Sequence, residues 1–154
     1  MYNKYMKLAV DEAYRGIKNG DGGPFGSVIV KGGEVIAAAH NLVVANSDPT
    51  CHGEIQAIRE ACKSLKSFDL SGCELYTTAE PCPMCLSACL WANIEKVYYG
   101  CRVEDTDTIG FRDLKFYSSL NMKLHRPGYL NELDRESCLA LFEEYRGLTD
   151  KTNY

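Results

Sequence analysis

The sequence predicts a single α/β domain: a mixed five-stranded sheet with helices on both faces, a three-layer αβα architecture. Three observations predict it. The chain has 154 residues, enough for one core and too few for two. Two strand patterns joined by a glycine turn are followed by an alternating helix–strand–helix–strand run with short connections, the pattern of parallel crossover units. Composition is that of an ordinary globular protein, with 45% hydrophobic and 25% charged residues. Residues 1–154 read as one domain, with 147–154 as a tail.

The elements follow in order. Residues 4–18 form a helix, with Leu8, Ala9, Ala13, Tyr14 and Ile17 as its apolar stripe. Gly20-Asp21-Gly22-Gly23 ends it, and Pro24 forbids continuation. Residues 25–30 and 35–39 are strands, and Lys31-Gly32-Gly33-Glu34 is the hairpin turn between them. Residues 40–49 read as a loop. A helix over 51–64 turns Ile55, Ile58, Ala61 and Cys62 inward. Residues 74–78 are the third strand, 82–92 the next helix and 96–100 the fourth strand. Residues 102–110 read as a polar loop, 111–120 as a short helix and 122–124 as a short last strand. The final helix, 136–146, buries Leu139, Ala140, Phe142 and Tyr145 and is capped by Gly147.

Two short runs carry chemistry: Cys51-His52-Gly53-Glu54, and Glu80-Pro81-Cys82-Pro83-Met84-Cys85. They spell H-x-E and then P-C-x-x-C, the pattern of zinc-dependent deaminases. His52, Cys82 and Cys85 supply three ligands, so a catalytic cation keeps a fourth position for water. Zinc lowers the pKa of that water and makes it a nucleophile near neutral pH. Glu54 is left to move protons and not to bind metal. Cys82 and Cys85 lie three apart on a first helical turn, which Pro81 and Pro83 suit. The positive end of that helix favours thiolates. His52 and Glu54 are two apart and converge only at a helix entrance, which Asp48-Pro49-Thr50 announces.

Net charge is −4, against a general nucleic-acid binder with a basic face. No apolar run reaches membrane-spanning length, and residues 1–5 lack the apolar core of a signal peptide, so the expected compartment is the cytosol. Eight cysteines without a secretory signal argue against a disulfide framework; Cys62, Cys89, Cys101 and Cys138 are expected as buried free thiols, with Cys51 filling a tight helix entrance. His40 and His125 are not expected to bind metal.

The chain resembles the cytidine-deaminase-like zinc hydrolase superfamily over its whole length, and within it the bacterial guanine deaminases. The resemblance is carried by Gly22-Gly23-Pro24-Phe25-Gly26, Asp48-Pro49-Thr50, Leu75-Tyr76-Thr77, the Glu80–Cys85 run, Trp91-Ala92, Gly110-Phe111-x-Asp113 and the terminal tyrosine. The zinc motifs match the superfamily; the Gly-Phe-x-Asp run and the tail match the guanine branch. The resemblance implies the cytidine-deaminase-like fold and zinc, one per chain, held by His52, Cys82 and Cys85, with Glu54 as proton shuttle. It also implies a substrate pocket in which Asn41 bonds the base edge, Phe25 stacks on its face, Asp113 accepts from its N–H groups and Tyr154 closes over it. A homodimer with exchanged C-terminal segments is implied as well.

The implied reaction is hydrolysis of guanine to xanthine and ammonia. Position 53 is glycine where the guanine branch more often has alanine; fungal cytosine deaminases share His-Gly-Glu, and a glycine here eases backbone approach to substrate. Cytosine or isocytosine is therefore an alternative substrate, and tRNA adenosine, whose deaminases share the Asp-Pro-Thr run, is another. A zinc-bearing scaffold is a fourth reading, and the intact Glu54 argues against it.

Overall fold

The computed structural model describes residues 2–122 and 127–154. Among the described residues five strands form one sheet in the order β2-β1-β3-β4-β5. They are β1 (Gly26–Lys31), β2 (Glu34–His40), β3 (Cys73–Ala79), β4 (Lys96–Cys101) and β5 (Leu130–Glu132). β1 runs antiparallel to β2 and to β3, while β3, β4 and β5 are mutually parallel. The sheet is therefore mixed, as expected.

Among the described residues seven helices accompany it: α1 (Lys4–Asn19), α2 (Val43–Asn46), α3 (Gly53–Leu65), α4 (Pro83–Trp91), α5 (Val103–Thr108), α6 (Asp113–Ser119) and α7 (Arg135–Gly147). Side chains alternate across each strand, and the two faces bury different sets. Val28, Val30 and Tyr76 meet Met6, Ala9, Val10 and Ala13 of α1 and Cys138, Leu141 and Phe142 of α7. Ile29, Leu75 and Val97 meet Ala57 and Ala61 of α3 and Cys89 and Ala92 of α4. Each fully buried Ile, Leu or Val there contributes about 1.5–3 kcal/mol.

The helix stripes are deeper and narrower than expected. On α3 the innermost residues are Gly53, Ala57 and Ala61, with Ile55, Ile58 and Cys62 only partly covered. Small residues face the sheet because the helix lies close on it; the branched side chains fill the flanks. On α1, Met6 and Val10 are core and Leu8 is 39% exposed, and on α7 Leu141 replaces the exposed Ala140.

Four connections also differ. The 40–49 segment contains the α2 turn, which starts where Val44 and Ala45 donate to the Asp21 carbonyl, both at 3.0 Å. The 102–110 segment is helical (α5): the Asp105 carboxylate accepts from the Arg102 N–H at 2.8 Å, and Val103 and Thr106 are buried. The last strand is β5, where Val97 donates to Tyr129 O and Leu133 to Tyr99 O. Residues 123 and 124 of the expected 122–124 strand, and His125, lie outside the described residues. Gly147 does not cap α7 but is its last residue. The Lys151 ammonium caps it instead, 3.1 Å from Tyr145 O and 2.7 Å from Arg146 O. A cation at a helix C-terminus meets the negative end of the dipole.

Candidate active site

Two helix starts meet at the ends of β2 and β3. His52 is the N-cap of α3 and Cys82 the N-cap of α4, and the Cys82 sulfur is hydrogen-bonded by Cys85 in the first turn of its own helix. Both residues have extended backbone, so their side chains leave the helix axis and face the same space. The local sequence explains each entry. Before α3, the Asp48 carboxylate accepts from Thr50 N at 2.8 Å and Thr50 Oγ1 at 2.7 Å, folding a turn that delivers His52. Before α4, Pro83 occupies a first-turn position, where no N–H is missed.

His52 Nδ1 stands 3.6 Å from Cys82 Sγ and 3.5 Å from Cys85 Sγ. Among the described residues these three are the cluster suited to a metal, their donor atoms all within 4.8 Å of one another. A tetrahedral zinc, with bonds of ~2.0–2.3 Å to nitrogen and sulfur, has donor–donor edges of roughly 3.5–3.8 Å. The trio fits such an ion in spacing and in donor type.

The electrostatics point the same way. A hydrogen bond from Cys85 draws the Cys82 thiol down to about 4, against burial and with help from His52. Burial pushes Cys85 well up. Burial would lower His52, but the Cys82 thiolate outweighs it and raises the imidazole to about 9. Protons must therefore leave Cys85 and His52 when both become ligands, coupling metal affinity to pH.

Glu54, in the first turn of α3, is buried beside the trio but outside it. Burial, and then the Cys82 thiolate, lift its carboxyl to about 7. Asp113 opens α6 and is lifted to about 6 by the same two causes. A carboxyl poised near neutrality can both take and give a proton.

A small cavity, about 30 Å³, joins these groups. Phe25, Asn41, His52, Glu54, Asp113 and Tyr154 all line it, so every residue singled out from the sequence except Cys85 reaches this wall; Cys85 sits behind it in the trio. Asn41 is 1% exposed, and its Oδ1 accepts from Val43 N at 3.0 Å, leaving the amide NH₂ as its remaining donor group. The Tyr154 hydroxyl accepts from Gly23 N at 2.9 Å within the same chain. Burial raises Tyr154, so the phenol stays neutral. The cavity opens outward into an apolar basin that Pro49, Met84, Phe116 and Leu120 help to line.

Three details sequence reasoning did not supply. Phe111 is a wall residue: its ring meets Phe25 edge-on at 4.8 Å and Tyr154 at 5.4 Å. Its signal was its place in Gly-Phe-x-Asp. Gly53 lies close against the start of β1: a Cβ there would lie 3.0 Å from Phe25 O and 3.3 Å from Ser27 Oγ, so its missing side chain serves the contact of α3 with that strand. The Cys51 sulfur is turned to Asn46 Nδ2 at 3.6 Å and Arg59 Nη1 at 3.8 Å, anchoring the helix entrance. All eight cysteines are free. His40 lies with Glu12 and Asp21, outside the trio.

A thiol–thiol–imidazole trio beside a buried carboxyl that is not a ligand defines a zinc-dependent hydrolase site. The chain belongs to the family described as the cytidine and deoxycytidylate deaminase zinc-binding region, whose model matches residues 1–101. Over 156 aligned residues, covering 99% of each chain, it is 40% identical to guanine deaminase of Bacillus subtilis (strain 168). A crystal structure of guanine deaminase from Bacillus subtilis superposes with a TM-score of 0.74, at 40% identity, covering 97% of this chain and 96% of that one. The tRNA-specific adenosine deaminase of Aquifex aeolicus (strain VF5) is 48% identical over 95 residues, 62% of either chain. The protein is thus a zinc-dependent aminohydrolase with the cytidine-deaminase-like fold.

Proposed function

We propose that this enzyme hydrolyses free guanine to xanthine and ammonia. The observation that carries the reading is the shared cavity, in which Glu54, Asp113 and the Asn41 amide face one small space beside the thiol–imidazole trio. His52, Cys82 and Cys85 hold the zinc, which when bound supplies the Lewis acidity that lowers the pKa of water. Glu54 takes a proton from the attacking water and passes protons to the ring nitrogen and the departing amine. Its burial keeps the carboxyl close to the pH at which either transfer is possible. The Asn41 amide donates to the base edge, and Asp113 accepts from the N–H groups that guanine and not adenine presents there. Phe25 and Phe111 form an aromatic wall, and Tyr154 closes it by its bond to Gly23, excluding bulk water.

The whole chain acts as one domain, its 147–154 tail serving as part of the site. We further propose a cytoplasmic homodimer in which the tails exchange between chains; an exchanged tail would present the same tyrosine to the same wall. The tRNA alternative is disfavoured by the net charge of −4, which offers no general basic face to a polyanion.

The test is ammonia release by the zinc-loaded protein against guanine, cytosine, isocytosine, adenine, the matching nucleosides and tRNA. Turnover of guanine far above the rest is expected. Preference for a pyrimidine or for tRNA would overturn the assignment of substrate while leaving the hydrolytic site.

A further inference from the structure

Behind the base-facing wall lies a second polar cluster that the reaction does not use. His40 closes β2 with its side chain only 12% exposed. Its Nδ1 is 2.9 Å from Glu12 Oε2 on α1, and its Nε2 is 2.9 Å from Asp21 Oδ2 in the loop after α1. Both contacts are at hydrogen-bonding distance, one from each ring nitrogen. Arg15 holds the other Glu12 oxygen at 2.8 Å, and Asn19 Nδ2 reaches Asp21 Oδ2 at 3.3 Å. The ring therefore ties three segments together: α1, the 20–25 loop and the end of β2.

Those segments carry the wall. Asn41 follows His40 directly; its N–H donates to Phe25 O at 2.9 Å. The backbone of Gly22 lies so close that a Cβ there would fall 2.1 Å from Asn41 Oδ1, so the Asp21–Gly22 backbone sets the side-chain position of Asn41. The Asp21 carbonyl accepts from Val44 and Ala45, fixing the turn whose Val43 N–H holds the Asn41 amide. One residue further, Gly23 N–H holds the Tyr154 hydroxyl.

We infer that the Glu12–His40–Asp21 clamp is a positioning device for substrate binding: it sets Asn41, Phe25 and Tyr154 without touching substrate or metal. The inference rests on the base-binding role proposed above for that wall. Charge-assisted hydrogen bonds suit this task, because they are short, directional and stronger than neutral ones. The metal trio and Glu54 hang on α3 and α4 instead, so the clamp governs affinity and leaves the chemical step alone.

The experiment compares Asp21→Ala, Asp21→Asn and His40→Leu with the wild type, all zinc-loaded and full-length. It reads zinc content, guanine KM and kcat, and amide hydrogen exchange at residues 41–45. Asp21→Ala and His40→Leu are expected to raise KM roughly tenfold or more, with kcat within about threefold and zinc unchanged. Asp21→Asn keeps an acceptor of the same shape and should restore most of the affinity. Exchange at Asn41, Val43, Val44 and Ala45 should quicken in Asp21→Ala, although the backbone carbonyl of residue 21 is still present. Unchanged KM, an equal fall of kcat, loss of zinc, or failure of asparagine to rescue would each overturn the inference. If the wild type turns over no guanine, the substrate reading fails by itself. The exchange rates then decide the clamp: acceleration confined to 41–45 supports it and none refutes it.

Discussion

The metal trio and the base-facing wall share one cavity but are assembled by opposite means. His52, Cys82 and Cys85 come from two neighbouring helix starts, and the contacts among them span at most 33 positions. The wall joins a loop after α1, the end of β2, the start of α6 and the tail; its Gly23–Tyr154 bond spans 131 positions. The trio needs two helices to begin correctly on one sheet. The wall needs nearly the whole chain to be in place. Damage at a distance should therefore weaken recognition before it weakens chemistry, and substitutions can separate the two.

The largest effect should come from the trio. Cys82→Ala removes a ligand and the thiolate that pairs with His52; zinc per chain, measured by elemental analysis, should fall well below one and ammonia release should vanish. Next, Glu54→Gln should keep zinc but lower kcat by roughly 10²–10⁴-fold, the usual loss for a positioned acid–base group. Full turnover by this variant would remove the proton-shuttle role. On the wall, Asn41→Ala should act mainly through KM, by about 10–100-fold, because a hydrogen bond to the base edge is lost and Val43 N–H loses its acceptor. A steady-state titration with guanine would check that split; an effect on kcat alone would place Asn41 with the trio. The smallest effect should follow Lys151→Met, which frees the Tyr145 and Arg146 carbonyls and loosens the tail. A KM increase of about two- to tenfold is expected, since one such bond is worth about 1 kcal/mol.

The same contrast explains what could be read beforehand. The trio and Glu54 were legible because zinc chemistry dictates residue type and spacing within a few positions. The strands and long helices were legible from periodicity, including the mixed sheet. Asn41, Asp113 and Tyr154 were reached only by resemblance: an isolated Asn, Asp or Tyr carries no local pattern, and its meaning appears when distant segments meet. Phe111 was passed over for the same reason. The α5 helix was missed because its sequence, Val-Glu-Asp-Thr-Asp-Thr, is polar; two buried side chains and the Asp105–Arg102 cap hold it. The inner stripe of α3 was read only in part: Ala61 is core and Ile58 and Cys62 pack against it, but Gly53 and Ala57 were passed over because close packing on a sheet selects Gly and Ala, which hydrophobic periodicity underweights.

His52 and Cys82 sit where a helix ordinarily places Ser, Thr, Asp or Asn, and neither offers a capping oxygen. Leaving an N-cap unfilled costs about 0.5–2 kcal/mol per helix. Zinc bound to both residues would pin both helix starts, and the free energy of binding would then appear as folding stability. The thermal midpoint of this protein should accordingly work as a gauge of metal occupancy: a chelated sample would melt early, beginning at the first turns of α3 and α4, before any assay of turnover was run.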